Sequence, residues 1–180
     1  DAMGRQIGVY QLENSQPLDI DDVPEDVIGA FLAVEDAGFY AHRGTNLRAF
    51  ARALLSNASG SGRQGASTIT MQVVKNEFLG DLPRDARYKV LQARYATMLE
   101  KQLDKREILE RYLTTIYFGN NAYGLPAAAE TYFGARPADL TLAQGAFLAG
   151  LVQAPSTYDP IEHPEASRRR YAEVLDRLLA

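Results

Sequence analysis

The sequence contains no cysteine, so it can form neither a disulfide framework nor a thiolate metal site. It also lacks a long apolar segment, because its longest weakly polar run covers only residues 142–152 and a bilayer span needs roughly 20 apolar residues. Residues 1–11 have neither the basic start nor the apolar stretch of a signal peptide. We therefore expect no anchor or signal within these 180 residues, and any such segment of the parent protein to lie outside them.

The composition is that of an ordinary globular protein, and the length predicts a single domain over residues 1–180. The charge is unevenly distributed: residues 1–36 carry nine acids and one arginine, whereas residues 37–94 carry nine lysines or arginines and three acids. This basic segment favours an anionic partner, such as phosphate groups or an acidic membrane surface, although a solvated charged face is an equally good interpretation. No known reader motif is present, so we expect no nucleic-acid partner.

The apolar spacing predicts a mainly α fold with a short extended N-terminal arm. The arm and an acidic linker occupy residues 1–24, and the Ser/Gly-rich residues 58–66 are expected to form a mobile loop beside a cleft. A first helix should run from Glu25 to about Glu35, and Asn46 can cap a second one that ends at Asn57. Further helices are predicted at residues 87–102, 104–113, 141–152 and 164–179, the second of them with a capping box.

Two adjacent carboxylates, Glu35 and Asp36, stand at the end of the first predicted helix and are followed by Phe39, His42 and Gly44. A carboxylate at the edge of an apolar helix can have its pKa raised by desolvation, which suits a general acid or base near neutral pH. The alternative is a pair of surface acids that only keep the helix end soluble.

A second polar segment, residues 65–76, places hydroxyl and amide groups between a glycine-rich loop and a lysine. Hydroxyls and backbone amides at a helix start can hold phosphate oxygens, and a lysine adds positive charge. An ordinary Ser/Thr-rich helix start would look the same. The candidate binding residues are Ser67, Thr68, Thr70, Gln72, Lys75 and Asn76.

The densest cationic stretch contains Arg84, Arg87, Lys89 and Arg94. On a helix, Lys89 and Gln92 lie on roughly one face, which could look into the same cleft. A string of basic residues on a helix is more often a solvated face.

Five blocks of sequence occur in one order along most of the chain. They are AVEDAGFYAHRG, GASTITMQVVKN, LEKQLDKREILERYL, IYFGNNAYG and AAAETYFG. In order and interval, from about residue 11 to residue 179, they resemble the glycosyltransferase domain of class A penicillin-binding proteins and of monofunctional peptidoglycan glycosyltransferases, family 51. Five blocks in register are far more specific than one short motif. The resemblance implies a mostly α, lysozyme-like fold.

The resemblance also implies a reaction. In that family the glutamate of the first block, here Glu35, is the general base that deprotonates an acceptor sugar hydroxyl. The hydroxyl then attacks the anomeric carbon of a lipid-diphosphate-linked glycan with inversion, and Lys75, Arg84 and Lys89 match the cations that would stabilise the leaving diphosphate. No tightly bound cofactor is implied, although Mg²⁺ or Mn²⁺ could accompany the diphosphate, held by Glu35, Asp36 or the substrate.

The partners implied are lipid II, the growing glycan strand, an attached transpeptidase domain and other cell-wall synthesis proteins. The location implied is the outer face of the bacterial cytoplasmic membrane. Phe78 and Leu79 are candidates for membrane insertion, with a core contact as the alternative.

Several positions depart from the family pattern. Gln92 stands where the family has a second glutamate, and an amide can neither accept a proton nor pair by charge. Tyr88 replaces an arginine, for which Arg87 can partly substitute. Further departures are Met71 for Gln, Asn46 for Asp, Thr114 for Asn and Gln144 for Glu.

The leading hypothesis is an atypical inverting glycosyltransferase with Glu35 and Gln92 in the catalytic positions. The alternatives are a domain that binds lipid II or a partner without polymerising it, and, less favoured, a glycan-cleaving enzyme.

Overall fold

The computed structural model describes residues 16–46, 67–80, 82–83 and 85–179. Four sequence predictions therefore lie wholly or partly outside the described residues: the arm over residues 1–15, the helix after Asn46, the loop over residues 58–66, and the placement of Arg84. The described part of the acidic linker packs onto the domain, since Ile20 is buried and its backbone N–H donates a hydrogen bond to Glu110 Oε2.

The described residues are mainly helical, which confirms the predicted fold class. The α-helices are α1 (Glu25–Glu35), α2 (Ile69–Phe78), α3 (Ala86–Leu99), α4 (Lys105–Thr115), α5 (Gly124–Phe133), α6 (Leu142–Leu151) and α7 (Pro164–Leu178). Single turns of 3₁₀ helix form at Ile20–Asp22, Phe39–Ala41 and Pro137–Asp139. Within the described ranges, β pairing is limited to one bridge between Tyr117 and Tyr123.

The predicted helix starts are correct to within one residue where a side-chain cap is present, whereas the predicted ends of α3 and α4, residues 102 and 113, differ from the observed Leu99 and Thr115. The Asp104 side chain accepts a hydrogen bond from the Glu107 backbone and Glu107 reaches back, so α4 begins with the expected capping box. At α6 the oxygen of Gln144 accepts from the Thr141 backbone N–H at 2.9 Å, and Thr141 Oγ1 accepts from the Gln144 N–H. Gln144 therefore performs the capping task of a glutamate, because this bond needs only an acceptor oxygen.

Helix α5 is missing from the sequence predictions. It begins after Tyr123, which supplies no side-chain cap, and Pro126 lies in its first turn. Its buried residues are mostly small or apolar, so the segment shows no polar face from which a 3.6-residue period could be recognised.

The main core is formed by α1, α2, α4, α5 and α6, while one smaller apolar cluster joins α3 to α2 and another joins α7 to α1 and α6. Helix α1 approaches α6 so closely that a Cβ atom at Gly145 would lie 2.9 Å from Val27 Cγ1. Phe31, also in α1, packs edge-on against Phe118 and is fully buried. The C-terminal end of α1, where Glu35 stands, is thus held on a rigid, buried helix.

Candidate active site

Glu35 is the last residue of α1 and is partly buried. Its Oε2 accepts a hydrogen bond of 2.8 Å from Gln72 Nε2 of α2. Desolvation by burial raises the pKa of Glu35, while the Gln72 hydrogen bond and the charges of Arg170 and Arg177 oppose that rise. A carboxylate with a raised pKa is the type of group that can take up a proton near neutral pH.

Asp36, the next residue, has different surroundings. It is buried, and its Oδ2 accepts hydrogen bonds from the Ile69 backbone N–H at 3.1 Å and from His42 Nε2 at 2.8 Å. Asp36 therefore ties the end of α1 to the first turn of α2. This arrangement fixes the geometry of Glu35 relative to Gln72.

His42 lies between two carboxylates. Because the Asp36 carboxylate can only accept, the proton of this hydrogen bond sits on His42 Nε2. The other ring nitrogen, Nδ1, is buried and lies 3.9 Å from Glu100 Oε1. Phe39 is buried with its ring edge-on to that of His42, and Lys105 Nζ lies 4.3 Å from the centre of the Phe39 ring.

Glu100 completes this network although the sequence analysis did not select it. Its Oε1 accepts hydrogen bonds from Thr70 Oγ1 at 2.5 Å and from Lys105 Nζ at 2.7 Å. A carboxylate at the end of a helix is not distinctive in sequence, because surface acids occur there as well. Its role becomes visible only when α2, α3 and α4 are packed together.

Two residues of the predicted polar blocks shape the start of α2. Thr68 is its N-cap, accepts from the Met71 N–H, and donates to the Gly44 carbonyl at 2.7 Å. Gly44 has φ +88°, and a Cβ there would lie 2.6 Å from the Ala96 carbonyl oxygen, so only glycine fits. Thr68 and Thr70 are both buried, and the hydrogen bonds described here use their hydroxyls within the protein.

Gln92 of α3 is 1% exposed and faces α2. Its Nε2 donates to the Met71 carbonyl at 2.7 Å, and its Oε1 accepts from Lys89 Nζ at 3.0 Å. Lys89 Nζ also donates to Ser67 Oγ at 3.2 Å. The structure thus joins Gln92, Lys89 and Ser67 in one cluster next to Met71, whose neighbour Gln72 contacts Glu35.

Two departures from the family pattern lie in the same α2–α3 interface. Met71 and Tyr88 are buried in one apolar cluster with Val74, Leu79 and Ala96. Apolar packing therefore occupies a place where the family pattern has Gln and Arg, and Gln92 is a buried polar group beside it.

The remaining candidates are distributed along α2 and α3. Lys75 and Asn76 are partly buried in the last turns of α2, and Arg87 is exposed in the first turn of α3. Phe78 is 56% exposed, whereas Leu79 is 2% exposed and belongs to the core. The membrane-insertion prediction is therefore wrong for Leu79, and its core-contact alternative is correct.

Tyr112 of α4 is a further residue that the sequence analysis missed. It is fully buried, and no described residue hydrogen-bonds its hydroxyl. Burial raises the pKa of Tyr112 well above its ordinary value, with additional contributions from the Glu35 and Asp36 charges. In sequence it belongs to the apolar stripe with Ile108 and Leu109, which indicates only a core position.

Together, the helices and the Glu35 site define a mainly α, lysozyme-like domain with a desolvated carboxylate at the end of a buried helix. The chain belongs to the transglycosylase family, whose model matches residues 3–179. A solved structure of penicillin-binding protein 1A from Haemophilus influenzae is similar to 98% of the chain, at 28% identity and a TM-score of 0.51, and the chain covers 17% of that protein.

Curated relatives agree with this family. Penicillin-binding protein 1A of Neisseria flavescens is 44% identical over 177 residues, which are 98% of this chain and 22% of that protein. Penicillin-binding protein 1A of Aquifex aeolicus is 42% identical over 180 residues, 99% of this chain and 25% of that protein. A shorter Cupriavidus necator protein that also bears the name transglycosylase is 44% identical over 162 residues, 89% of this chain and 69% of its own length. The chain thus spans about a quarter or less of the penicillin-binding proteins it matches.

Proposed function

We propose that this chain is a peptidoglycan glycosyltransferase domain that polymerises lipid II into glycan strands with inversion, using Glu35 as general base. The observation that carries the proposal is the Glu35 carboxylate itself, with a pKa raised by burial and a geometry fixed by Gln72. Membership of the transglycosylase family supports the reaction class. The names of the relatives, penicillin-binding proteins and a transglycosylase, support a role in cell-wall synthesis.

In this mechanism the Glu35 carboxylate removes the proton from a hydroxyl of the acceptor sugar. The hydroxyl oxygen forms a bond to the anomeric carbon of the other glycan, on the face opposite the diphosphate. The bond between that carbon and the diphosphate oxygen breaks, and the lipid diphosphate leaves with the bonding electron pair. Glu35 then returns its proton to solvent. Its raised pKa suits this task, because a base transfers protons more efficiently as its pKa moves toward the operating pH.

The developing charge on the diphosphate requires positive groups close to it. Lys75, Arg84, Arg87 and Lys89 are the proposed cations, with Ser67 and Asn76 as polar contacts; the link between Lys89 and Ser67 supports this grouping. A divalent ion would arrive with the substrate diphosphate. In the part of the chain that the structure describes, no three His, Cys, Asp or Glu residues come together as ligands.

Lipid II carries a long lipid, so we place the domain at the outer face of the bacterial cytoplasmic membrane, beside a transpeptidase domain of the same protein and other cell-wall synthesis proteins. The exposed Phe78 side chain is the described candidate for membrane contact. None of the described helices is long and apolar enough to cross a bilayer.

A binding domain without catalysis is the second candidate function. The observation in its favour is Gln92, a buried amide where the family pattern has a second carboxylate. Such a domain would hold lipid II between α2 and α3 through the same cations and would form no polymer.

The test is polymer formation from fluorescent lipid II by the protein and by Glu35→Gln. Loss of the base should lower the rate by about 10² to 10⁴. Glu165→Gln is the matched control, because Glu165 is exposed on α7 and pairs with Arg168, and it should leave the rate unchanged. Full activity of Glu35→Gln would refute the assignment of the base. Lipid II binding without polymer would favour the binding domain, and released muropeptides would indicate a lytic enzyme.

A further inference from the structure

The amide of Gln92 lies between two groups of opposite hydrogen-bonding character. On one side the Met71 backbone carbonyl, 2.7 Å from Nε2, can only accept. On the other side the Lys89 ammonium, 3.0 Å from Oε1, can only donate. The side chain at position 92 must therefore donate on one side and accept on the other. These partners also fix the orientation of the amide.

Of the side chains of this length, a glutamine meets both requirements at neutral pH. An ionised glutamate accepts only, so it would satisfy Lys89 but direct a negative oxygen at the Met71 carbonyl. Methionine or leucine would satisfy neither group. Burial increases the advantage of glutamine over these other side chains. Gln92 is 1% exposed and borders the apolar cluster of Met71 and Tyr88, where an unsatisfied polar group is costly.

We propose that Gln92 is a positioning residue of the glycosyltransferase site, and that this site requires an amide rather than a carboxylate at position 92. The inference rests on the proposed function in so far as the site is catalytic. Gln92 acts through two connections, one to Lys89 and the other to the backbone of α2.

The first connection places a cation. Lys89 Nζ is held by Gln92 Oε1 and also donates to Ser67 Oγ at 3.2 Å, just before the first turn of α2. A lysine side chain has four rotatable bonds, so fixing it in advance reduces the entropy lost when it binds an anion. Gln92 thereby orients the ammonium toward the proposed diphosphate position.

The second connection leads to the base. Met71, whose carbonyl is bound by Gln92, immediately precedes Gln72, and Gln72 Nε2 donates to Glu35 Oε2 at 2.8 Å. A shift of the α2 backbone at Met71 would move Gln72 relative to Glu35. A misplacement of about 1 Å in such a site can lower a rate by about 10².

Gln92→Glu is the informative variant because its defect should depend on pH. A protonated glutamic acid can donate to the Met71 carbonyl and accept from Lys89, as the amide does, whereas the ionised form cannot. Among the described residues, Lys89 of α3 contacts the side chain at position 92 directly, the facing helix α2 carries Lys75 and Glu77, and Glu100 follows the last residue of α3. The Lys89 ammonium favours ionisation of the new carboxyl, whereas burial of position 92 opposes it.

The matched control is Val90→Glu. Val90 is 68% exposed on the same helix, so this variant adds the same charge at a solvent-facing position instead of the buried one. The readouts are the melting temperature, and kcat and KM for fluorescent lipid II, each over a range of pH. We expect Gln92→Glu to melt several degrees lower at neutral pH and to polymerise about tenfold more slowly or worse. Both differences from the unmodified protein should shrink as the pH falls, whereas Val90→Glu should stay close to the unmodified protein throughout.

Gln92→Glu with an unchanged melting temperature and an equal or faster rate at neutral pH would overturn the proposal. So would equal effects of the two glutamate substitutions. If Gln92→Glu does not fold, NMR of the unmodified protein decides: one side-chain NH of Gln92 should exchange slowly compared with those of the exposed Gln102. Fast exchange at Gln92 would overturn the proposal. These stability and exchange readouts need no activity, so an absence of polymer in every variant would refute the proposed function alone.

Discussion

Glu35 and Asp36 are adjacent carboxylates that the fold places in different surroundings. Asp36 accepts hydrogen bonds from His42 and from the start of α2, and so joins two elements. Glu35 receives one amide hydrogen bond, from Gln72, and burial raises its pKa. Two like groups in unlike environments are a common way to separate a structural task from an acid–base task. Among the described residues, Gln72 is thus the single one whose hydrogen bond lowers the pKa of the proposed base.

Gln72→Leu should therefore move the acid side of the pH–rate profile to higher pH. The Gln72 hydrogen bond lowers the pKa of Glu35, so its removal leaves burial less opposed and the base stays protonated to a higher pH. The measurement is the polymerisation rate as a function of pH, with the exposed Gln102→Leu as control. An unchanged acid side in Gln72→Leu would show that this hydrogen bond does not set the ionisation of the base.

Among the elements, the contact between α1 and α6 sets where the base stands. Gly145 of α6 lies against Val27 of α1, and a Cβ there would also lie 3.1 Å from the Val27 Cα atom. Backbone cannot move aside as a flexible side chain can, so the two helices approach this closely only because residue 145 is glycine. Glu35 lies two turns beyond Val27 on the same rigid helix.

Gly145→Ala should destabilise the domain by about 1–3 kcal/mol, because the added methyl forces α1 and α6 apart. For a domain of this size the melting temperature should fall by about 2–4 °C per kcal/mol. Gly29→Ala is the matched control within α1, because no described residue outside the local helix backbone has an atom within 4 Å of the position that its Cβ would take. That change should instead stabilise the protein by about 0.5–1 kcal/mol through helix propensity. Thermal melts of both variants give the comparison, and equal effects would contradict the packing argument.

At the scale of the whole molecule, helix α7 contacts α1 and changes the pKa of Glu35. Helix α7 packs against α1, and Arg177 Nη1 lies 3.4 Å from the Val34 carbonyl. The charges of Arg170 and Arg177 lower the pKa of Glu35 and partly offset its burial. Arg170 is itself buried, with its Nε donating to the Gly150 carbonyl of α6. The net effect is still a raised pKa. The ionised form of Glu35 therefore lowers the stability of the folded protein.

Glu35→Gln should therefore raise the melting temperature by a few degrees at neutral pH while it removes activity. A carboxyl whose pKa is raised on folding binds protons more readily in the folded state, so its contribution to stability falls as pH rises through that window. The gain from glutamine should be largest above the folded pKa and vanish below the unfolded pKa of about 4.3. Thermal melts across pH, with Glu165→Gln as control, check this. A gain in melting temperature that did not vary with pH would show that the gain does not come from removing the ionisation of Glu35.

The sequence by itself determined the elements whose signals are local. The bounds of α1, the capping box of α4 and the start of α7 at Pro164 follow from neighbouring residues, since caps and helical stripes involve contacts within a few positions. The five blocks also determined the family, which the comparisons confirmed. Helix α5 was missed because its mostly apolar residues give no period.

Tertiary structure alone decided which of the selected residues act together. Glu35 meets Gln72 across 37 positions, and Gln92 meets the Met71 carbonyl across 21, so neither contact can be recognised from spacing within one helix. The pKa of Glu35 depends on desolvation by the packed helices, which raises it, and on two arginines of α7, which lower it. Local hydrogen bonds fix elements, whereas burial and long-range charge exist only after those elements have packed, and they determine the chemistry of the site.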